Sequence, residues 1–353
     1  MLTIVLLLVF IAFFSYFAVS RNTKVAVGSN LKITVNKNRI PKQIYILMIF
    51  VFVIFVGLRA KTVGLDSKSY AGDIGSSISE LQYSNYEYGY IFLVRLISIF
   101  NLHYSVLFLV AAIIAIAPIV FLIKEESDYP VLSIIVYFGT TLFLWSFSAL
   151  RQSMALGLVA CSYFFIKRKK RIRFLVFVLL ASLFHKTAIF FAPTLIFSFV
   201  KVDKKRIFLI IGIGIMLIVL QNQILNMASS FSRVDSYFDV EMEGGERYLL
   251  VLFFVAILSI IQYKNMKNDP FIFYSLVLLP FIFFVVNKNS VMNRASWYYQ
   301  LILIVGIPRL VKSFKTKTFR VCLYGILAIL FGYQFLSSIM NDVAGIANYQ
   351  FAF

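Results

Sequence analysis

Apolar runs of roughly 15 to 20 residues recur along this chain from end to end. Each is long enough, or nearly so, to cross a bilayer core of about 30 Å as a helix. In a bilayer every backbone amide and carbonyl must be bonded internally, which leaves helices or a closed barrel. Continuous runs, rather than alternating ones, select helices. Hydrophobic residues make up 61% of the 353 and charged residues only 14%, so little is left over for a separate soluble domain. With no Gly/Ser linker, low-complexity tract or convincing internal repeat, residues 1–353 read as one polytopic helical unit. Cys161 and Cys322 lie inside apolar segments and read as packing residues. Two histidines and no Cys/His/Asp cluster make a zinc site improbable. The first residues, MLTIVLLLVFIAFF, lack a basic leader and are followed by Arg21 and Lys24. They read as a retained first helix with its N-terminus outside.

The net charge of +19 could suggest nucleic acid, but its distribution argues for topology. Basic residues cluster in short loops at 21–42, 167–173, 201–206 and 309–320. The positive-inside rule places all four in the cytosol. An even number of spans must then lie between 21–42 and 167–173. Five apolar runs are found there, and the odd one is 88–100, YGYIFLVRLISIF, which is short and carries Arg95. It reads as an interfacial or re-entrant outer helix. The expected fold is therefore all-α, with about twelve transmembrane helices and both termini outside. By this assignment the whole excess of +19 falls on the cytosolic side, and the outer side is neutral. The outer charges are not anchors, so they need another explanation.

Arg151 and Gln152 begin a helix at its outer end, within SALRQSMALG. A buried arginine is costly there unless it faces a partner or a wet cavity. In the first turn, where free amides favour anions, an anionic ligand would resolve the conflict, and so would a carboxylate neighbour. Ser153, Gly157 and Cys161 form a small-residue stripe suited to helix packing. The run 173–199 must leave the cytosol and return within 27 residues. Each half would reach only roughly 20 Å as α-helix, which predicts a short hairpin with His185 and Lys186 at its tip. His185 there is either a general base or a hydrogen-bonded packing residue. The outer loop 59–88 carries Arg59, Asp66, Asp73, Glu80 and Glu87, and the tyrosines that run through it to Tyr90 include Tyr70 and Tyr88. Rings beside carboxylates suit a carbohydrate, and also an interfacial belt. Gly64 and Gly72 read as turn residues. Outer loop 221–247 adds Arg233, Asp235, Glu246 and Arg247. The motif NRASWYYQ adds Asn293, Arg294 and Trp297. Arg59, Arg151, Lys186, Arg247 and Arg294 could together surround a diphosphate.

The segments GLRAKTVGLDSKSYAGD, NYEYGY, SFSALRQSMALGL, LLASLFHKTAIFFAP and NRASWYYQ resemble the EpsG family of bacterial exopolysaccharide proteins, which belongs with the Wzy-type polymerases of O-antigen and capsule. The resemblance covers about 59–200 and, more loosely, the C-terminal third. It implies a GT-C-like glycosyltransferase in the bacterial cytoplasmic (inner) membrane with its active site facing outside. Donor and acceptor would be undecaprenyl-diphosphate-linked oligosaccharide repeat units, and undecaprenyl diphosphate would leave. A chain-length regulator and a flippase are implied as partners, with membrane lipid and without nucleic acid. The matched positions are Arg59, Asp66, Tyr70, Glu87, Arg151, Gln152, His185 and Arg294. On this reading Arg151, with Arg294 or Arg59 and flanked by Lys186 and Arg247, holds the diphosphate. His185, Asp66 or Glu87 takes the acceptor's proton. Tyr70, Tyr88, Tyr90, Gln152 and Trp297 contact sugar. No DxD-type pair is present, so no metal or other cofactor is expected. A lipid-linked sugar transporter, an O-antigen ligase and a membrane acyltransferase are the competing readings.

Overall fold

The computed structural model of the protein describes residues 41–224, 226, 245–287 and 290–353. The first apolar segment and most of loop 221–247, with Arg233 and Asp235, lie outside the described residues. The described elements are α1 (Lys42–Gly57), three short helices α2 (Ser67–Gly72), α3 (Ile78–Tyr83) and α4 (Tyr88–Ile99), then α5 (Tyr104–Glu126), α6 (Pro130–Gly139), α7 (Leu142–Trp145), α8 (Leu150–Lys167) and α9 (Arg171–Ser182). A 3-10 helix, Lys186–Ser198, follows. Then come α10 (Lys204–Val219), α11 (Glu246–Ile261), α12 (Tyr263–Met266), α13 (Pro270–Val286), α14 (Ser290–Gln300), α15 (Leu303–Ser313) and α16 (Lys317–Met340). Among the described residues there is no strand, only an isolated antiparallel bridge between Arg59 and Phe351.

Two of these helices, α5 and α16, are long and apolar enough to cross a membrane unaided. Helices α1, α4, α6, α13 and the 3-10 helix are apolar but shorter. The sequence suggests more uniform spans, and the difference has a local cause. The apolar run 130–147 is split where Thr141 takes a left-handed φ of +61°, and α14 and α15 are separated at Leu301–Ile302. Helix 88–100 is present as expected. It is amphipathic in an unusual sense, burying Tyr90, Ile91, Val94 and Ile97 while exposing Phe92, Leu96 and Ile99.

The expected hairpin is also present, but its halves differ. α9 is α-helical, so its 12 residues rise about 18 Å. The return segment is 3-10 over 13 residues, at about 2.0 Å per residue, and reaches farther for the same length. Side chains three apart eclipse on a 3-10 helix, and the buried residues are Ala188, Phe191, Thr194 and Phe197. That period of three is the physical reason this segment leaves the α geometry. Its single apolar file packs on α9 and α13.

Charged groups gather at two ends of the bundle. At one end Lys167 pairs with Glu126, and Arg309 meets Asp128 at 2.5 Å and Asp269 at 3.5 Å, with Lys312 also on Asp128. At the other end Arg151 pairs with Glu87. α8 connects the two, and Arg151 to Lys167 spans about 24 Å of helix rise. The small-residue stripe works as packing: a Cβ at Gly157 would land on the Ile114 carbonyl, so α8 and α5 touch backbone to backbone. The final segment, 341–353, folds back along the loop that follows α1. The Gly64 N–H donates to Gly345 O, the Ala60 N–H to Gln350 O and the Ala352 N–H to Leu58 O, at 2.8–2.9 Å. Gly64, at φ +95°, is a turn residue as expected, whereas Gly72 closes α2.

Candidate functional site around Glu87, Arg151 and His185

Glu87 is the N-cap of α4, yet its carboxylate makes no bond to that helix's own amides. It reaches across to two other segments instead. One oxygen accepts from Arg151 Nη1. The other accepts from the Lys186 backbone N–H at 3.1 Å and lies 3.4 Å from His185 Nδ1. The reason the segments meet is local. Gly89, in the first turn of α4, donates its N–H to Leu183 O at 2.8 Å, and a Cβ there would stand 2.7 Å from the same oxygen. Only glycine lets the outer loop sit directly on the hairpin tip. Burial alone would raise the Glu87 pKa. The His185 contact, the Arg151 charge and the Lys186 amide outweigh it and hold the carboxyl down at about 2. Glu87 is therefore an anion that orients its neighbours, and a weak proton acceptor.

Arg151 has further partners. Its guanidinium lies 4.5 Å from the Tyr86 ring centroid and 5.8 Å from that of Tyr90, the geometry of a cation–π contact. Tyr90 donates its hydroxyl to Asp73 Oδ2 at 2.5 Å. Burial pushes the Asp73 carboxyl up, against the pull of Tyr90 and Arg151. Arg151 thus has the carboxylate neighbour that the sequence leaves as one of two possibilities. Its buried Nε and both ring nitrogens of His185 have no hydrogen-bond partner within the described protein. Buried polar atoms of this kind are ordinarily satisfied by water or by a polar ligand.

The third wall is α14. Gln152 Nε2 donates to Arg294 O at 2.7 Å, and Tyr299 Oη donates to Phe190 O at 2.7 Å. The Tyr298 and Thr187 hydroxyls are 3.4 Å apart, and Trp297 stacks on Trp145 at 5.1 Å. These contacts bind α14 to the start of α8 and to the hairpin, with Arg294 half-buried between them and no ion-pair partner among the described residues.

The structure brings together Glu87, Arg151, Gln152, His185 and the Lys186 backbone, with Arg294 alongside. Other expected residues fall elsewhere. Arg59 is fully buried, donating Nε to Val63 O at 3.2 Å and Nη1 to Val56 O, with its guanidinium 4.2 Å from the Phe108 ring. It knits the outer loop to α5 and does not face the Glu87 group. Tyr70 and Trp297 are buried as well, as are Tyr90 beside Arg151 and Gln152 within the group. Their rings and amide form part of the packed walls, whereas Tyr88 is 74% exposed. Asp66 is exposed at the start of α2, away from these contacts. Arg247 is exposed at the start of α11, and the Lys186 side chain is exposed as well. Tyr86, Thr187 and Tyr298 join the site without having been singled out from the sequence, and Asp73 was named only as one of the loop's carboxylates. The one available signal was that Asp73 and Tyr86 share the loop of carboxylates and tyrosines.

The sequence model of the EpsG family matches residues 42–351. That interval contains every residue of the Glu87 group and all the described helices. The chain belongs to the EpsG family. Comparison with curated proteins and with solved structures finds no match. Family membership and the helical, strongly apolar architecture together make this a membrane protein, and within the EpsG match the Glu87 group is the densest meeting of buried ionisable side chains at the Arg151 end.

Proposed function

We propose that this chain is a polysaccharide polymerase that joins undecaprenyl-diphosphate-linked oligosaccharide repeat units on the outer face of the bacterial cytoplasmic membrane. The twelve-span, GT-C-like arrangement and the outward-facing site belong to the same reading. The observation that carries it is the convergence on Glu87 of an arginine, a histidine and a free helix-end amide, contributed by two separate segments. In such a reaction a hydroxyl of one unit attacks the anomeric carbon of another. The bond from that carbon to the diphosphate oxygen breaks, and undecaprenyl diphosphate leaves. Arg151 would bind the diphosphate through donors that Glu87 does not use, with Arg294 beside it, and stabilise the charge that develops as the bond breaks. His185, held by Glu87, would receive the proton of the attacking hydroxyl. Glu87, tied down as an anion, is assigned to positioning. Tyr88, the open ring, is the candidate for stacking on a sugar. The diphosphate is already a good leaving group, and the reading involves no metal.

The test is polymerisation by purified protein supplied with a synthetic undecaprenyl-diphosphate repeat unit. Wild type is expected to give a ladder of chain lengths. Arg151→Ala and His185→Ala are expected to lower the rate roughly 100-fold or more while the proteins remain folded in detergent. A normal ladder from Arg151→Ala would remove the assignment. Movement of the lipid-linked sugar across liposomes, with no ladder, would make the protein a transporter.

A further inference from the structure

A second cationic site lies on the opposite side of α2 from Tyr70. A cavity of about 270 Å³ is lined by Lys61, Lys68, Ala71, Gly72 and Tyr104. The Lys61 N–H donates to Tyr104 Oη at 3.3 Å, which fixes the start of the outer loop against the first turn of α5. Neither lysine has an ion-pair partner among the described residues. The carboxylates of this loop are engaged elsewhere: Asp73 by Tyr90, Glu80 by the amide of its own N-cap Ser77, and Glu87 by Arg151. Asp66 is exposed and paired with neither lysine. The cavity is smaller than the roughly 300 Å³ at which small-molecule sites usually begin. It has room for a diphosphate headgroup.

The surroundings say what carries that headgroup. Gly75, three residues beyond the cavity's Gly72, donates its N–H to Ser98 Oγ at 3.1 Å, which ties the cavity rim to the C-terminal turn of α4. The outward face of that helix is apolar along its length. Phe92, Leu96, Ile99 and Phe100 are 43–69% exposed, and Leu102 continues the strip toward Tyr104. A paired cationic cavity at the end of an exposed apolar strip is complementary to one kind of molecule, a phosphate head on a long hydrocarbon chain.

Building on the polymerase reading, we infer that the Lys61–Lys68 cavity binds the diphosphate of a second lipid-linked substrate, whose hydrocarbon chain lies along α4, while the first occupies Arg151. The two sites are separated by α2, whose inward Tyr70 packs on Tyr90 and whose outward Lys68, Ala71 and Gly72 line the cavity. A reaction between two lipid-linked molecules needs two such headgroup sites held close together, with the diphosphates far enough apart to limit their repulsion.

The experiment is native mass spectrometry of the purified full chain titrated with undecaprenyl diphosphate. The variants are Lys61→Glu/Lys68→Glu, the milder Lys61→Gln/Lys68→Gln, and Arg151→Ala. Wild type is expected to take two equivalents. Each lysine variant is expected to keep one and to bind the other roughly tenfold or more weakly. The retained equivalent also shows that the variant is folded. Two equivalents of undiminished affinity on both lysine variants would overturn the inference. Phosphatidylglycerol and inorganic pyrophosphate serve as competitors, and neither is expected to displace the lysine-dependent equivalent. Displacement by phosphatidylglycerol would make this a general anionic-lipid site, and displacement by pyrophosphate a free-phosphate site. Either result removes the second substrate. Polymerisation separates the inference from the reading it rests on. The lysine variants are expected to need at least tenfold more repeat unit for half-maximal rate. An unchanged requirement sinks the second site alone. Two bound equivalents on a wild type that makes no polymer sinks the polymerase and leaves the site standing.

Discussion

Arg151 and Glu87 form a buried pair, with side-chain exposures of 17% and 7%, so removing one partner differs from removing both. Arg151→Ala leaves the Glu87 carboxylate buried with only His185 and the Lys186 amide beside it. Breaking a buried pair from one side typically costs about 3–5 kcal/mol. Arg151→Ala/Glu87→Ala is therefore expected to be more stable than either single variant's loss would imply by addition. A double-mutant cycle read from thermal unfolding in detergent should give a coupling of about 1–3 kcal/mol. Activity should behave otherwise, with the double variant as dead as the single ones. The pH dependence follows from the same residue. The Glu87 pKa falls from its ordinary 4.5 to about 2 in the folded protein. A depressed carboxyl contributes stability that is complete above the unfolded value and is lost as pH falls toward the folded one. Wild type should therefore lose melting temperature progressively from about pH 4.5 downward. Glu87→Gln should show a smaller loss over that window, and equal slopes for the two proteins would remove Glu87 as its source. At this scale the sequence was half legible. Arg151 and His185 stand out because each interrupts an apolar run. Glu87 sits in a loop of similar carboxylates, and nothing in its neighbours marks it as the one that reaches two other segments.

What distinguishes Glu87 is a contact between elements. The backbone of Gly89 lies on Leu183 O, and this seats the first turn of α4 on the hairpin tip. Gly89→Ala would put a carbon 2.7 Å from that oxygen, so α4 must lift. The substitution changes no charged group and raises intrinsic helix propensity by up to about 1 kcal/mol. It is nevertheless expected to lower polymerisation at least tenfold, with the loss in the rate constant rather than in expression. A Gly89→Ala variant that polymerises like wild type would show that the Glu87–His185 contact is dispensable. The hairpin itself was expected from the charge rule, which places two basic flanks separated by 27 residues on the same side. Its 3-10 return was not. Ala188, Phe191, Thr194 and Phe197 have the spacing of three, but in an apolar segment with Ile189, Phe190 and Ile196 between them the pattern is hidden by side chains that face outward and are equally greasy. Periodicity reads faces only where the two faces differ, and beside lipid they do not.

The same limit governs the molecule as a whole, where a succession of apolar helices was readable, and their breaks and the tie between distant parts of the chain were not. Residues 341–353 carry no run and no motif, yet they close the Arg151 end. Ser148 Oγ donates to Ala344 O at 2.7 Å and accepts from the Leu65 N–H at 2.9 Å, so one fully buried hydroxyl joins three regions. It lies three residues before Arg151. Tyr349 Oη donates to Phe55 O at 2.8 Å, and Asp342 Oδ1 accepts from the Ile346 and Ala347 amides and turns the segment back. The strap thus fixes where α8 begins, and with it the position of Arg151 against Glu87. Deleting residues 341–353 leaves all the described helices intact, so the protein should still insert and be recovered from the membrane. The outer loop 58–67 would lose its backbone partners and the buried Arg59 much of its cover, because Tyr349 and Phe351 pack against Phe55 next to it. Limited proteolysis should then cut the deletion variant within 58–67 at least tenfold faster than wild type, and polymer formation should fall with it. Ser148→Ala, which removes one hub and keeps the strap, should fall between the two in both measurements. A deletion variant that resists the protease and polymerises normally would mean that α8 holds Arg151 in register without help from the end of the chain.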